Sequence, residues 1–245
     1  WMYHNGEGIQ QDYAEALKWY REAAAQGNAA AQNNIGWMYQ NGEGVKQDYA
    51  EAVLWYRRAA EHNYADAHNN LGVIYLDQKK LDLAEQSFTK AIEIDPEFKT
   101  GYMNLGVVYD RKDQLERALD MYKIVLQKYP DYPLGIINLG IGYRRLNRLD
   151  EAMEQFQKAV KVKPDYANAW SEIGYVHLLR NQHAEAIKNY LVSLKYDPKY
   201  RYTLANLGYC YAQTGDNTNA VKYLRQAHDS HPDYAWPAGY LGWLY

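Results

Sequence analysis

Few residues in this sequence have types and spacings that do chemistry. Two glycine-rich stretches, Asn5-Gly6-Glu7-Gly8 and Asn41-Gly42-Glu43-Gly44, have the composition of a phosphate-binding loop. A phosphate cradle requires a preceding strand, a helix N-terminus aimed at the anion, and a lysine or metal ligand. Here a helical pattern precedes the loop and a glutamate sits inside it, so both stretches read as turns between helices. Of seven histidines, only His228 and His231 stand at the i, i+3 spacing that lets two imidazoles share a metal. No third ligand accompanies them and Pro232 follows, so the pair reads as a solvated helix end. His177 occupies a position that is tyrosine in the neighbouring segments and reads as a packed core histidine. Cys210, between Tyr209 and Tyr211, has no histidine placed to activate it and reads as a buried, inert thiol. No catalytic, metal or cofactor constellation emerges, and a non-enzyme without cofactors is expected.

Bulk composition narrows the partners. A net charge of −3 over 245 residues offers no broad basic surface, which argues against nucleic acid. No run of 18 or more apolar residues occurs, so no membrane span is expected and the protein reads as soluble. A single cysteine excludes an internal disulfide framework and does not fix the redox compartment. The unusual figure is 26 tyrosines against 3 phenylalanines, which asks for an architecture that uses aromatic rings repeatedly.

A repeat supplies it. The pattern Asn-Leu-Gly-x-x-Tyr recurs with its glycine at Gly36, Gly72, Gly106, Gly140, Gly174, Gly208 and Gly242, spaced by 36 residues once and by 34 thereafter. An aromatic follows three residues on at Tyr39, Tyr75, Tyr109, Tyr143, Tyr211 and Tyr245. Each unit then carries a small residue, a bulky ring and a small residue, as in Ala84, Phe88, Ala91 and Ala152, Phe156, Ala159, and closes on Pro96, Pro130, Pro164, Pro198 or Pro232. Leu71, Gly72 and Tyr75 share one face of a first helix, and Ala84, Phe88 and Ala91 one face of a second. Glycine costs roughly 1 kcal/mol against alanine inside a helix, so its recurrence signals a close approach by the second helix. Proline separates one unit from the next. One such hairpin cannot bury both its faces, so neighbours must stack, and the tyrosine surplus is chiefly packing.

Residues 65–234 resemble five tetratricopeptide repeats; the departures are Val125 and Ser193 at the last small position and Leu224 at the ring. In residues 1–64, Trp-Met-Tyr-x-Asn-Gly-Glu-Gly occurs twice, followed by Gln-Asp-Tyr-Ala-Glu-Ala and Trp-Tyr-Arg. That segment resembles Sel1-like repeats, a relative with a longer loop inside the hairpin, the first copy being truncated; residues 235–245 would begin a further repeat. The resemblance implies an all-α fold, a right-handed α-α superhelix in one continuous solenoid. Mixing the two repeat types resembles bacterial scaffolds, with cytoplasm, periplasm and cell exterior all open.

In such a stack the first helices line a concave groove that takes peptides. By that resemblance the residue two before each glycine faces it: Asn34, Asn70, Asn104, Asn138, Glu172 and Asn206. Asparagine carries donor and acceptor, so a column of them can bracket a peptide backbone; this is similar to the asparagine ladder of O-linked N-acetylglucosamine transferases. Equally, each could bond within its own hairpin or to a neighbouring helix. One residue beyond the glycine stand Val73, Val107, Ile141, Tyr175 and Tyr209, and three before it Asn69, Met103, Ile137, Ser171 and Ala205, giving an apolar strip joined by Tyr202. Arg111, Arg144 and Arg145, with Arg148 nearby, are expected to converge on a peptide carboxylate, unless they form a solvated charge run.

The chain begins Trp1-Met2-Tyr3 and ends Trp243-Leu244-Tyr245 in the same phase of the repeat. Two readings follow: a stretch of a longer solenoid, or head-to-tail self-assembly into a filament through Trp1, Tyr3, Trp236, Trp243 and Tyr245. The expected partner is therefore a protein or peptide, with other copies of the same chain as the alternative. A substrate-recruiting arm of a larger enzyme is the third reading.

Overall fold

Helices start and stop where the repeat places them. A computed structural model describes residues 2–6, 8 and 10–244, without the side chains of Met2, Asn5 and residues 242–244. The described residues form α1 (Met2–Asn5), α2 (Tyr13–Ala25), α3 (Ala29–Asn41), α4 (Tyr49–Ala60), α5 (Ala65–Asp77), α6 (Leu81–Ile94), α7 (Lys99–Arg111), α8 (Leu115–Lys128), α9 (Pro133–Arg145), α10 (Leu149–Val162), α11 (Ala167–Leu179), α12 (His183–Tyr196), α13 (Arg201–Gln213), α14 (Asn217–Ser230) and α15 (Trp236–Leu244). The fold is all-α, a solenoid of helical hairpins. The chain divides into two compact units, residues 1–121 and 122–245, with the boundary inside α8. In the hairpins α3–α4, α5–α6, α9–α10, α11–α12 and α13–α14 the two helices pack on each other, and α4, α6, α10, α12 and α14 each pack on the first helix that follows.

The glycine column explains the hairpin. A Cβ on Gly72 would lie 2.6 Å from Phe88, on Gly140 2.5 Å from Phe156, on Gly174 2.7 Å from Tyr190, and on Gly36 2.7 Å from Tyr56. Those four rings are fully buried, and the alanines flanking them in the same helices, such as Ala84, Ala91, Ala152 and Ala159, are buried too. A bulky ring thus lies on bare helix backbone, and the flanking alanines let the second helix settle against it. At Gly208 the ring is replaced by Leu224, whose Cγ would be 2.6 Å from the added Cβ.

Turn chemistry is equally regular. Between the two helices of a hairpin, the residue seven beyond the anchor glycine takes positive φ: Lys79 59°, Asp113 59°, Asn147 58°, Asn181 57° and Gly215 83°. This left-handed residue ends the first helix and is costly for most side chains. Between hairpins the proline sits in a short turn that ends on an aromatic N-cap, Phe98, Tyr132, Tyr166 or Tyr200, none with a side-chain capping bond. Between α3 and α4 the glycine-rich loop is a turn, with Gly42 and Gly44 at φ 73° and 69°. There Asp48 caps α4 by accepting from the Ala50 and Glu51 amides. The Trp-Tyr-Arg arginines reach across to the next first helix, Arg21 donating to the Tyr39 hydroxyl at 3.2 Å and Arg57 to that of Tyr75 at 3.1 Å.

Candidate functional site

In the first unit the asparagine column is committed to the fold. The Asn70 Nδ2 donates to Asn33 Oδ1 at 2.9 Å, and Asn104 Nδ2 to Asn69 Oδ1 at 2.8 Å. The acceptors stand three residues before the preceding glycine and are buried. Each ladder amide therefore stitches one first helix to its predecessor, the local-bonding alternative. Val107 is half-buried beside them. Arg111 Nη1 donates to the Leu76 carbonyl at 3.2 Å, a C-terminal carbonyl of α5 that also accepts from the Lys79 amide at 3.1 Å.

In the second unit the same helical face opens into a cleft of about 430 Å³. Its walls come only from first helices and the turns that lead into them: Ile141 and Arg144 of α9, Asn168, Ser171, Glu172 and Tyr175 of α11, Tyr200, Tyr202 and Asn206 at α13, and Tyr234 before α15. The positions follow a helical stripe at six before, two before and one after each glycine, spaced by four and three residues. At the floor Arg144 Nε lies 2.9 Å from Glu172 Oε2, with the side chains 20% and 16% exposed. The N–H is not aimed at the oxygen, so the contact is an ion pair rather than a linear hydrogen bond. Burial raises the Glu172 carboxyl above its ordinary pKa, while Arg144 pulls the other way. The Arg144 guanidinium also lies 4.9 Å over the Tyr175 ring.

Aromatic rings build the rim. Tyr200 and Tyr202 meet edge to face at 6.0 Å, and Tyr202 and Tyr234 at 5.7 Å. Arg201 sits over Tyr202 at 4.7 Å and Tyr234 at 5.7 Å, and donates to the Tyr202 hydroxyl at 2.8 Å. Tyr200 donates to Asn168 Oδ1 at 3.1 Å, and Thr203 to Ser171 Oγ at 2.8 Å. Burial, with Glu172 nearby, lifts the Tyr200 phenol to about 12.

Seven residues predicted from sequence, Ile141, Arg144, Ser171, Glu172, Tyr175, Tyr202 and Asn206, come together in this cleft. Asn138 lies half-buried on α9 and Arg145 exposed at its end, and neither lines the cleft. Tyr209 packs into an aromatic cluster, 6.2 Å from Trp236 and 5.4 Å from Tyr240. Three expectations need correction. The apolar column three before the glycine is core, with Met103 4%, Ile137 1% and Ala205 0% exposed, because that position turns toward the second helix. The arginines do not converge: Arg111 reaches back to Leu76, whereas Arg144 reaches forward to Glu172. His177 is not core but half-exposed, its Nδ1 2.7 Å from Gln182 Oε1 at the hairpin turn.

Cys210 is fully buried, and burial pushes its thiol up to about 12. No group of three or more metal-ligating side chains occurs among the described residues, and no described helix is long and apolar enough to cross a membrane. Of the proposed end contacts, Tyr3 and Trp236 are exposed at 37% and 41%, whereas the Trp1, Trp243 and Tyr245 side chains lie outside the described residues. Sequence reasoning missed Asn168, Tyr200 and Tyr234. Stepping four residues back from the asparagine column reaches Asn168, and an aromatic recurring two residues after the proline marks the other two.

Residues 1–28 and 29–64 match the Sel1 repeat, and residues 65–98, 101–132, 142–179 and 202–233 match tetratricopeptide repeats. The chain is a tetratricopeptide-repeat protein with N-terminal Sel1 repeats. Among solved structures, this repeat protein is similar to PilW, described as a widely conserved type IV pilus biogenesis factor, with TM-score 0.76, 19% identity and coverage of 87% of this chain and 98% of that one. It is similar to YrrB, described as a TPR protein with an unusual peptide-binding site, with TM-score 0.56, 23% identity, and coverage of 76% and 97%. A Sel1 repeat protein from Oxalobacter formigenes gives TM-score 0.59 at 26% identity, covering 72% of each chain. No curated protein matches the sequence.

Proposed function

We propose that this tetratricopeptide-repeat protein is a non-catalytic scaffold that holds an extended polypeptide on the first-helix face of its second unit. The cleft over Glu172 and Asn206 carries the reading. It is open, walled mostly by side chains outside the hairpin core, and combines aromatic rings with a few fixed polar groups, the composition of a recognition site. Peptide recognition is consistent with the fold shared with YrrB, whose peptide site is named in its description. No nucleophile stands beside a general base in the cleft, and the buried thiol of Cys210 is held protonated.

Selection from a random peptide library displayed on phage, followed by fluorescence anisotropy, tests this. Peptides that bind the full chain should lose roughly 5- to 30-fold in affinity on Tyr202→Ala or Asn206→Ala, the range for truncating an interface anchor. Selected peptides that bind both variants as tightly as the parent would place the site elsewhere and refute the proposal.

A further inference from the structure

We infer that the cleft selects an uncharged segment of polypeptide, with a glutamine or asparagine side chain seated over the Arg144–Glu172 pair. The inference rests on the reading that a peptide occupies this cleft, and it names the residue class the peptide brings there. Charge comes first. Among the described residues lining the cleft, only Arg144 and Glu172 are charged, and they stand side by side at its floor. Just outside, Arg201 is matched by Asp233 at 3.6 Å. A peptide carboxylate drawn to Arg144 would lie against Glu172, and an ammonium drawn to Glu172 would lie against Arg144. Like-charge contacts of this kind reject a partner more effectively than a neutral misfit does.

Hydrogen-bonding capacity then chooses among neutral groups. Arg144 Nε and Glu172 Oε2 lie 2.9 Å apart, both are buried, and neither makes a hydrogen bond. One donor and one acceptor are thus left unmet next to each other, an unfavourable state that a ligand can relieve. The two side chains keep 20% and 16% of their surface, and the terminal torsion of a glutamate is soft, so a small turn presents the pair to the cleft. The Tyr175 ring, 4.9 Å from the guanidinium, steadies Arg144. A carboxamide carries a carbonyl acceptor and an NH2 donor on neighbouring atoms of one plane, the complement of this pair. A hydroxyl puts both roles on one atom and meets the two partners at poor angles. Above the floor, Asn168 keeps its NH2, since its oxygen receives Tyr200, and Tyr202 keeps its proton, since its oxygen receives Arg201. These donors suit the backbone carbonyls that flank the seated side chain.

The test starts from dodecapeptides selected on the full chain from a random phage library, keeping those whose affinity falls on Tyr202→Ala or Asn206→Ala. Fluorescence anisotropy at pH 8 then compares each peptide with versions in which one glutamine or asparagine at a time becomes Glu, Lys or Ala. At one position the Glu and Lys versions should bind at least about 10-fold more weakly, and the Ala version about 3- to 10-fold more weakly. Glu172→Gln keeps the shape of the side chain and leaves Arg144 unbalanced. On that variant the Glu version should bind at least as tightly as the unaltered peptide, while the Lys version stays weak. The peptide substitutions need no variant of the chain, so they decide the matter whatever Glu172→Gln does to folding. Cleft-bound peptides that lack glutamine and asparagine, or that accept Glu or Lys at every such position without loss, would overturn the inference and leave the peptide site standing. An unchanged preference on folded Glu172→Gln would also overturn it. If no library peptide responds to Tyr202→Ala or Asn206→Ala, both readings fall.

Discussion

The glycine–ring interlock makes a quantitative prediction at Gly140. An alanine Cβ there would sit 2.5, 2.8 and 3.1 Å from Phe156 Cε1, Cδ1 and Cζ. Ordinary contact begins at 3.4 Å, so the ring or α9 must move by roughly 0.9 Å. Phe156 cannot yield easily, because it is fully buried between the equally buried Ala152 and Ala159. Overpacking of this kind costs about 1–3 kcal/mol, and the full burial of the ring puts Gly140→Ala near the upper end. Better helix propensity returns about 1 kcal/mol, leaving a net loss of about 2 kcal/mol. In a chain of 245 residues that lowers the melting temperature by roughly 4–8 °C. Thermal and urea unfolding of Gly140→Ala, Phe156→Ala and the double variant form the assay. In the Phe156→Ala background the clash is gone, so adding Gly140→Ala should stabilise by up to ~1 kcal/mol. An undiminished penalty in that background, or a Gly140→Ala single variant as stable as the parent, would refute the interlock.

Other consequences follow from neighbouring contacts. Lys79→Gly should stabilise the protein by up to ~1 kcal/mol in urea unfolding, since its φ of 59° is unfavourable for lysine. Gly215→Ala should destabilise by a similar ~1 kcal/mol although its added Cβ would meet nothing within 4 Å, because its φ is 83°. Cys210, with its thiol near 12 and no exposed surface, should react with a disulfide reagent at pH 8 only once urea unfolds the chain. Arg144→Ala should cost on the order of 2 kcal/mol by stranding the Glu172 carboxylate, and adding Glu172→Asn should recover most of it. The same carboxyl sets a pH trend. Its folded pKa is raised, so its stabilising contribution is complete below the unfolded value of 4.5 and is lost as pH climbs through the folded value. Melting curves should therefore show Glu172→Gln gaining on the parent as pH rises from 4 to 7.

The hairpin was legible because its signal is local and repeated. Gly72 with Phe88, and Gly140 with Phe156, sit at fixed spacings, and one physical need, close helix approach, explains both partners. The groove was legible only in part. Helical spacing places Tyr175 and Asn206 on the right face but not their partners, since nothing in the repeat pattern pairs Glu172 with Arg144 of the preceding unit. Burial of Met103 and Ile137 turned on a rotation of one residue around the helix, about 100°, which periodicity alone resolves poorly. Arginine direction was unreadable for a different reason. Arg111 and Arg144 are long side chains one helical position apart in successive repeats, and reaching back or forward depends on which carbonyl or carboxylate lies in range.

The claim that most needs testing is that polypeptide binds the first-helix face. Hydrogen exchange on the full chain, with and without a library-selected peptide, addresses it directly. Bound peptide should slow exchange in α11 and α13 and in the turns at Tyr200 and Tyr234, while α10, α12 and α14 exchange at unchanged rates. Protection confined to the second helices, or to residues 1–64, would contradict the account.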